Sequence, residues 1–351
     1  MKRSNTRTGI LTALAAAACL ALCFARDARA GEDPRYFSAA AAGTTAADFL
    51  NLPVGARAAA MGGAYSAVSD EASAVYWNPA GLVQIPKLSA VFMRAQYLEE
   101  INYQYAAYAQ RLSYDSVLAG SVLLTDIGSI RQTDISGNTL GSFAPRDQVF
   151  TLSYSKAILE FSDKDMDVSI GVNAKYIKSR ISGSARSYAG DIGIMTYNFS
   201  DIPYRLAVTA SNIGGGLKYD TESNPLPLTF KLGAAVSPLR NMLFSTDVVF
   251  PKQNKPNVLL GAELVTTPGE QTRLCVRGGL NVQQLRDGIN GMSMGVGATL
   301  RFFSLDYAFV PMGELGSTHR ISLTVDLPFR SPVFERRDRS IFTKMKGISF
   351  K

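Results

Sequence analysis

The sequence predicts an all-β fold, a transmembrane antiparallel β-barrel of about fourteen strands preceded by a small helical segment. Three observations predict it. From Leu88 to Phe329, apolar residues recur at every second position. The alternating segments run to about ten residues, where strands of soluble sheets usually have five or six. The connections alternate between tight turns such as "SPLRN" and "TTPGEQ" and long loops such as "SIRQTDISGNTLGSFAPRD", as in barrels with short turns at one end and longer loops at the other.

Residues 1–30 read as a secretory signal peptide. Lys2, Arg3 and Arg7 precede the apolar run Ile10–Ala25, and Ala28-Arg29-Ala30 has the A-x-A form of a cleavage site. The apolar run is shorter than the roughly 20 residues of a spanning helix. Neither Cys19 nor Cys23 has the upstream residues of a lipid-attachment site. Cleavage removes both and leaves Cys275 alone, so no intramolecular disulfide staples the exported chain. It also lowers the net charge from +7 to +3, with 31 basic and 28 acidic residues remaining. That balance argues little for a nucleic-acid partner.

Residues 31–87 are Ala/Gly-rich and lack strand alternation. In "SDEASAVYWNPAGL" (Ser69 to Leu82), Ser69 suits a helix N-cap, with Asp70 and Glu71 in the first turn, where carboxylates favour the helix dipole. Pro79 pushes Asn78 out of the helical region and stops the helix just after Trp77. Gly55, Gly62, Gly63 and Gly81 permit tight turns or close backbone approach. The small residues around them allow dense packing against another surface.

Residues 88–329 carry candidate strands near 88–99, 101–113, 115–127, 147–158, 167–180, 187–198, 204–213, 227–237, 241–251, 257–267, 271–281, 290–302, 302–311 and 318–328. In "MSMGVGATLRF", Met292, Met294, Val296, Ala298, Leu300 and Phe302 share one face. Ser293, Gly295, Gly297, Thr299 and Arg301 share the other. "DVSIGVNAKY" and "ISLTVDL" repeat the pattern. Asp191, Arg205, Arg301, Asp306 and Asp326 fall on the polar face, which suits a wet lumen. Tyr103, Tyr105, Tyr108 and Tyr154 lie near strand ends, as an interfacial girdle requires. A soluble sandwich also alternates, but with shorter strands, and no blade-length repeat marks a propeller. In hydrocarbon every backbone N–H needs a partner, so such a sheet must close. Residues 330–351 carry seven basic and two acidic residues and read as a solvated basic tail on the periplasmic side. Phe329 or Phe350 is the candidate terminal aromatic.

The phrases "GARAAAMGGAYSAVSDEASAVYWNPAGL" and "LDYAFVPMGELGSTHRISLTVDL" (Leu305 to Leu327) bracket nearly all of the mature chain. The first resembles the N-terminal signature of the PorV/PorQ family, within the wider FadL-like outer-membrane barrels, and the second resembles that family's closing hairpin. The resemblance implies a fourteen-stranded barrel whose N-terminal segment is a hatch folded inside the lumen. It maps an Asn-Pro-Ala turn of that hatch onto Asn78, Pro79 and Ala80. The fatty-acid transporters of the group pass hydrophobic molecules sideways through a wall opening, and the PorV members hold or shuttle exported cargo in type IX secretion. This chain is shorter than the typical transporters.

The expected location is therefore an outer membrane, with outer-membrane lipids as surroundings. The expected ligands are hydrophobic small molecules, or else secretion-system or cargo proteins. The candidate gating residues are Gly55, Arg57, Met61, Gly62, Gly63, Asp70, Trp77, Asn78, Pro79, Ala80 and Gly81. A break near Gly214, Gly215 and Gly216 is a candidate lateral gap, and a plain Gly-rich loop is the simpler reading. No catalytic residues are expected. A nucleophile needs a base, and the one histidine, His319, begins the last strand. One histidine and one mature cysteine far apart give no metal-ligand spacing, and no cofactor motif is present.

Overall fold

A computed structural model describes residues 36–97, 101–161, 166–181, 183–198, 202–219, 222–269 and 271–327. The expected signal peptide, the first residues of the expected hatch, and the tail with Phe329 and Phe350 lie outside the described residues.

Fourteen strands form one closed antiparallel barrel. They are β1 (Leu88–Gln96), β2 (Asn102–Arg111), β3 (Ser116–Asp126), β6 (Arg146–Phe161), β7 (Met166–Arg180), β8 (Ser184–Asn198), β9 (Tyr204–Gly214), β12 (Thr229–Leu239), β13 (Met242–Pro251), β14 (Asn257–Gly269), β15 (Thr272–Asn281), β16 (Met292–Leu300), β17 (Phe303–Pro311) and β18 (Ser317–Leu327). Consecutive wall strands pair around the ring, and β18 returns to β1 in register from Leu88↔Leu327 to Gln96↔His319. Two long loops hold hairpins of their own, β4 (Ile130–Thr133) with β5 (Thr139–Phe143), and β10 (Leu217–Lys218) with β11 (Ser223–Asn224). Tight turns such as 239–242 and 300–303 gather at one end, here the short-turn end. The hairpin-bearing loops mark the long-loop end. The chain enters β1 and leaves β18 at the short-turn end.

The faces are inverted relative to a soluble protein. Along β16, Met294 and Val296 point outward and are 55% and 54% exposed, while Ser293 points inward and is buried. On β18, Ile321 and Leu323 are exposed and Arg320, Ser322 and Thr324 are buried. An apolar exterior around a polar interior fits a bilayer as the solvent.

Three expectations change. Tyr103 and Tyr105 are buried inside the barrel. They share the parity of Ala107 and Ala109, so nearness to a strand end misassigned them. Tyr108 and Tyr154 do face out. Arg301 is not lumenal. It sits in a tight turn at φ 57°, with Nε donating to Gln271 Oε1 at 2.6 Å. The helix expected from Ser69 is a single turn, described below.

Candidate functional site in the barrel lumen

Residues 36–87 run through the barrel from the long-loop end to the short-turn end. At the first, Phe37 N donates to Lys252 O at 2.7 Å and Ala46 N to Pro225 O at 2.9 Å. At the second, Arg111 Nη2 donates to Ile85 O at 2.6 Å, just before β1. Between them lie two short helices, α1 (Ala56–Ala60) and α2 (Ala74–Trp77). Helices this short are not stable alone, and wall contacts hold them.

The helix expected to start at Ser69 begins only at Ala74. Ser69 turns its hydroxyl back to Tyr65 O at 2.8 Å and sits at φ 21°, so it cannot cap the following N–H groups. Asp70 is drawn off to Arg57, and Ser73 donates to Glu71 Oε1 at 2.7 Å. The stop falls where Pro79 dictates, with Asn78 extended at φ −161°. Trp77 is the packing centre of the segment. Its Nε1 donates to Val54 O at 3.0 Å, Tyr65 and Tyr76 meet its ring edge-on, and Lys231 Nζ lies 4.7 Å from the ring centroid.

The Asn78-Pro79-Ala80 turn is fastened to the wall. Asn78 Oδ1 accepts from Ala80 N at 3.0 Å, and its Nδ2 donates to Ser66 O at 3.0 Å. Ala80 O accepts from Ser169 Oγ at 2.9 Å, and from Ser155 Oγ and Tyr197 OH at 3.3 Å each. The wall has glycine where this turn touches it. A Cβ on Gly171 would run into Pro79 and Ala80, and one on Gly193 into Asn78 Oδ1. Gly233, Gly261, Gly279 and Gly295 do the same for Ser66, Met61, Gly62 and Ala60. These inward glycines are dents shaped to the segment.

A ladder of alternating charges crosses the same interface. Arg205 Nη1 lies 3.8 Å from Asp70 Oδ2, and Asp70 Oδ1 pairs with Arg57 Nη1 at 2.5 Å. Arg57 grips Glu263 bidentately at 2.9 and 3.0 Å. Arg277 bridges Glu263 to Asp306, both at 2.6 Å. Burial works against the Arg57 charge, yet Asp70 and Glu263 outweigh it and hold the guanidinium protonated above its ordinary range. Buried charges survive only when paired in this way. On the strands flanking this ladder, Asp247 of β13 accepts from Ser66 N at 3.0 Å and Ser66 Oγ at 2.8 Å, and Arg320 of β18 donates to Pro53 O.

At the long-loop mouth, a pocket of about 320 Å³ separates the segment from the wall. Leu50, Pro53, Trp77 and Leu259 supply apolar lining, with Lys231 and Asn212 at its edge. The wall beside it carries a bulge. The β8–β9 register shifts at Gly190/Ile192, and Asn212 has φ 63°. Asn212 N donates to Asp191 Oδ1 and Lys175 Nζ to Asn212 Oδ1, both at 2.8 Å, so polar contacts fill the irregularity. Gly214 ends β9, and Gly215 and Gly216 lie in the connection that follows.

All eleven candidate residues fall in the lumenal segment. Gly62, Gly63 and Trp77 border the mouth pocket. Arg57 and Asp70 lie in the ladder, and Asn78, Pro79 and Ala80 form the wall staple. Gly81 packs against Ser69, Met61 is in the core, and Gly55 N donates to Met93 Sδ at 2.9 Å. The wall partners Glu263, Arg277, Asp247 and Arg320 and the inward glycines were not singled out. Their signal was present, as charges and glycines at lumen-facing parity in membrane-length strands. The one histidine faces outward, with Nδ1 2.7 Å from Tyr307 OH.

The family model described as "Type IX secretion system protein PorV" matches residues 38–245. Among solved structures, the TodX deltaS2S3 mutant monoaromatic hydrocarbon channel aligns with TM-score 0.50 at 12% identity, over 78% of this chain and 97% of that one. The toluene transporter TodX of Pseudomonas putida gives 0.49 at 12%, over 78% and 96%. A FadL homologue of Pseudomonas aeruginosa gives 0.47 at 11%, over 78% and 99%. At 12% identity the first of these likenesses is one of fold alone. No curated protein matches the chain.

Proposed function

The chain belongs to the PorV family of outer-membrane β-barrel proteins, and from that premise we propose that it is a non-enzymatic, gated transporter of hydrophobic small molecules, with residues 31–87 as its hatch. The observation that carries this reading is the fastening of the lumenal segment. A segment held to the wall by charge pairs, hydroxyls and glycine dents blocks free diffusion, which is the task of a gate. The mouth pocket supports a small ligand. Such sites join apolar lining to a few polar groups that orient the ligand, and here Leu50, Trp77 and Leu259 adjoin Lys231 and Asn212.

The test is uptake into proteoliposomes of an uncharged aromatic hydrocarbon and, separately, of a sugar of similar size. The expected result is protein-dependent entry of the hydrocarbon alone, altered by Asn78→Ala/Pro79→Ala. Equal leakage of both, or hydrocarbon entry no faster than in empty liposomes, would contradict it.

A second reading, with which the family description is consistent, is a secretion component that binds exported proteins. Long loops would carry it. The β4–β5 hairpin presents Ile135 and Leu140 fully or largely to solvent, on a turn tied by Asp134 to Ser136 N and Asn138 N at 2.9 and 2.8 Å. Mass spectrometry of native-membrane preparations separates the readings. Stoichiometric exported proteins support the second, and a retained small hydrophobic ligand supports the first.

A further inference from the structure

The outer wall carries cations, aromatic rings and a groove close together, apart from the lumen. Along β7 the outward positions read, from the long-loop end inward, Arg180, Lys178, Tyr176, Ala174, Val172 and Ile170. Arg180 lies directly opposite Arg146, and Lys178 directly opposite Arg186. Like charges facing each other across strands are unfavourable, and here two such pairs are stacked about 7 Å apart. Among the described residues, Asp126 pairs with Arg146 at 3.1 Å, and no carboxylate lies within ion-pair distance of Lys178, Arg180 or Arg186. Asp147, next in sequence to Arg146, turns into the barrel and takes the Ser179 hydroxyl.

One step deeper the chemistry changes to aromatic. Phe150 and Tyr176 have ring centroids 6.3 Å apart, and Tyr176 and Tyr188 5.5 Å apart, forming a row across three strands. This row borders a groove of about 750 Å³ on the same outer face, which continues inward past Leu152 and Ala174. Ala106, Gly120 and Ala174 form its floor, and Phe92, Tyr108 and Leu152 stand around it.

Cations, then rings, then an apolar groove is the order in which an anionic lipid presents its headgroup, interface and chains. The geometry points to a binding site for a phosphorylated, multiply acylated lipid of the leaflet at the long-loop end. Its phosphate would meet Lys178, Arg180, Arg186 and Arg146, and an acyl chain would lie in the groove below. In barrels of this kind the longer loops are extracellular, so the lipid belongs to the outer leaflet. Phosphate relieves the like-charge pairs, and arginine suits phosphate through paired N–H groups.

The experiment uses the full-length protein, delipidated in detergent, with two probes. One is diphosphorylated lipid A, and the other is the same lipid with its phosphates removed. Occupancy is read by native mass spectrometry, and folding of every variant is checked by heat-modifiable migration. Retention of the phosphorylated lipid should fall about a hundredfold in Lys178→Gln/Arg180→Gln/Arg186→Gln, at roughly fivefold per cation removed. Lys156→Gln, at the other end of β6, should leave it unchanged. Ala174→Leu, which fills the groove and keeps every charge, should also weaken retention. Equal retention of the dephosphorylated lipid, an unaffected triple variant, an equal loss in Lys156→Gln, or complete displacement by inorganic phosphate alone would each overturn the proposal.

Discussion

Arg57 is the residue on which the lumenal segment turns. It joins Asp70 on its own segment to Glu263 on the wall, and of these Glu263 is buried while Asp70 keeps partial access to water. Removing one member of a buried pair strands the other charge and typically costs about 3–5 kcal/mol. Arg57→Ala and Glu263→Ala should therefore each lower the stability of the segment by about that amount. Arg57→Ala/Glu263→Ala should lose less than the sum of the two single losses. The single tryptophan makes this measurable, because Trp77 fluorescence during denaturant titration reports the segment rather than the wall. Additive losses in the double-mutant cycle would mean that the two residues do not interact.

Glu71 gives the segment a pH dependence of opposite sense to most carboxylates. Burial pushes its carboxyl up to about 7, with Asp306 and Asp70 adding to the rise and Arg57 and the Ser73 hydroxyl opposing it. The unfolded value is about 4.3. The stabilisation is therefore complete below about pH 4 and is lost as pH rises through about 7, a change on the order of 3 kcal/mol. The difference between the parent and Glu71→Gln, followed by Trp77 fluorescence, should trace that decline. A difference that is flat with pH would contradict the assignment.

At the scale of elements, the wall and the segment are cut to fit each other. Gly278 and Gly279 are neighbours on β15 with opposite surroundings. A Cβ on Gly278 meets nothing within 4 Å, and one on Gly279 collides with Gly62. Gly193, opposite Asn78, resembles Gly279. Gly279→Ala and Gly193→Ala should expose the segment to protease without altering heat-modifiable migration, and Gly278→Ala should do neither. Equal protease resistance in all three would mean that the glycines are not seats.

The wall strands were legible because a period of two persists over membrane-length segments, and their observed ends fall within a few residues of the expected ones. What the sequence concealed was long-range. Ser69, Asp70 and Glu71 have the local chemistry of a helix start. Their side chains are taken instead by Tyr65, Arg57 and Ser73, and tertiary contacts override a local preference worth about 1 kcal/mol. Asn78-Pro79 was legible because proline acts on its own neighbour. Its fastening to Ser155, Ser169 and Tyr197 was not, since those residues lie 75 or more positions away. Tyr103 and Tyr105 show the same limit. Strand parity predicts their facing, and nearness to a strand end does not.

For the molecule as a whole, the closed ring explains why residues 36–87 need little secondary structure of their own. The barrel supplies the partners that short helices lack, and the segment supplies partners for wall charges that an empty lumen would leave to water. Their energetics are therefore coupled, and opening the lumen means breaking the Arg57–Glu263 pair and vacating the glycine dents together. The most direct measurement is ion conductance across a planar bilayer, with the full-length protein set against a variant lacking residues 36–85. The account predicts that the intact protein is closed to hydrated ions and that the deletion opens a large, steady conductance in a barrel that still migrates heat-modifiably. An intact protein that conducts as well as the folded deletion variant would contradict it.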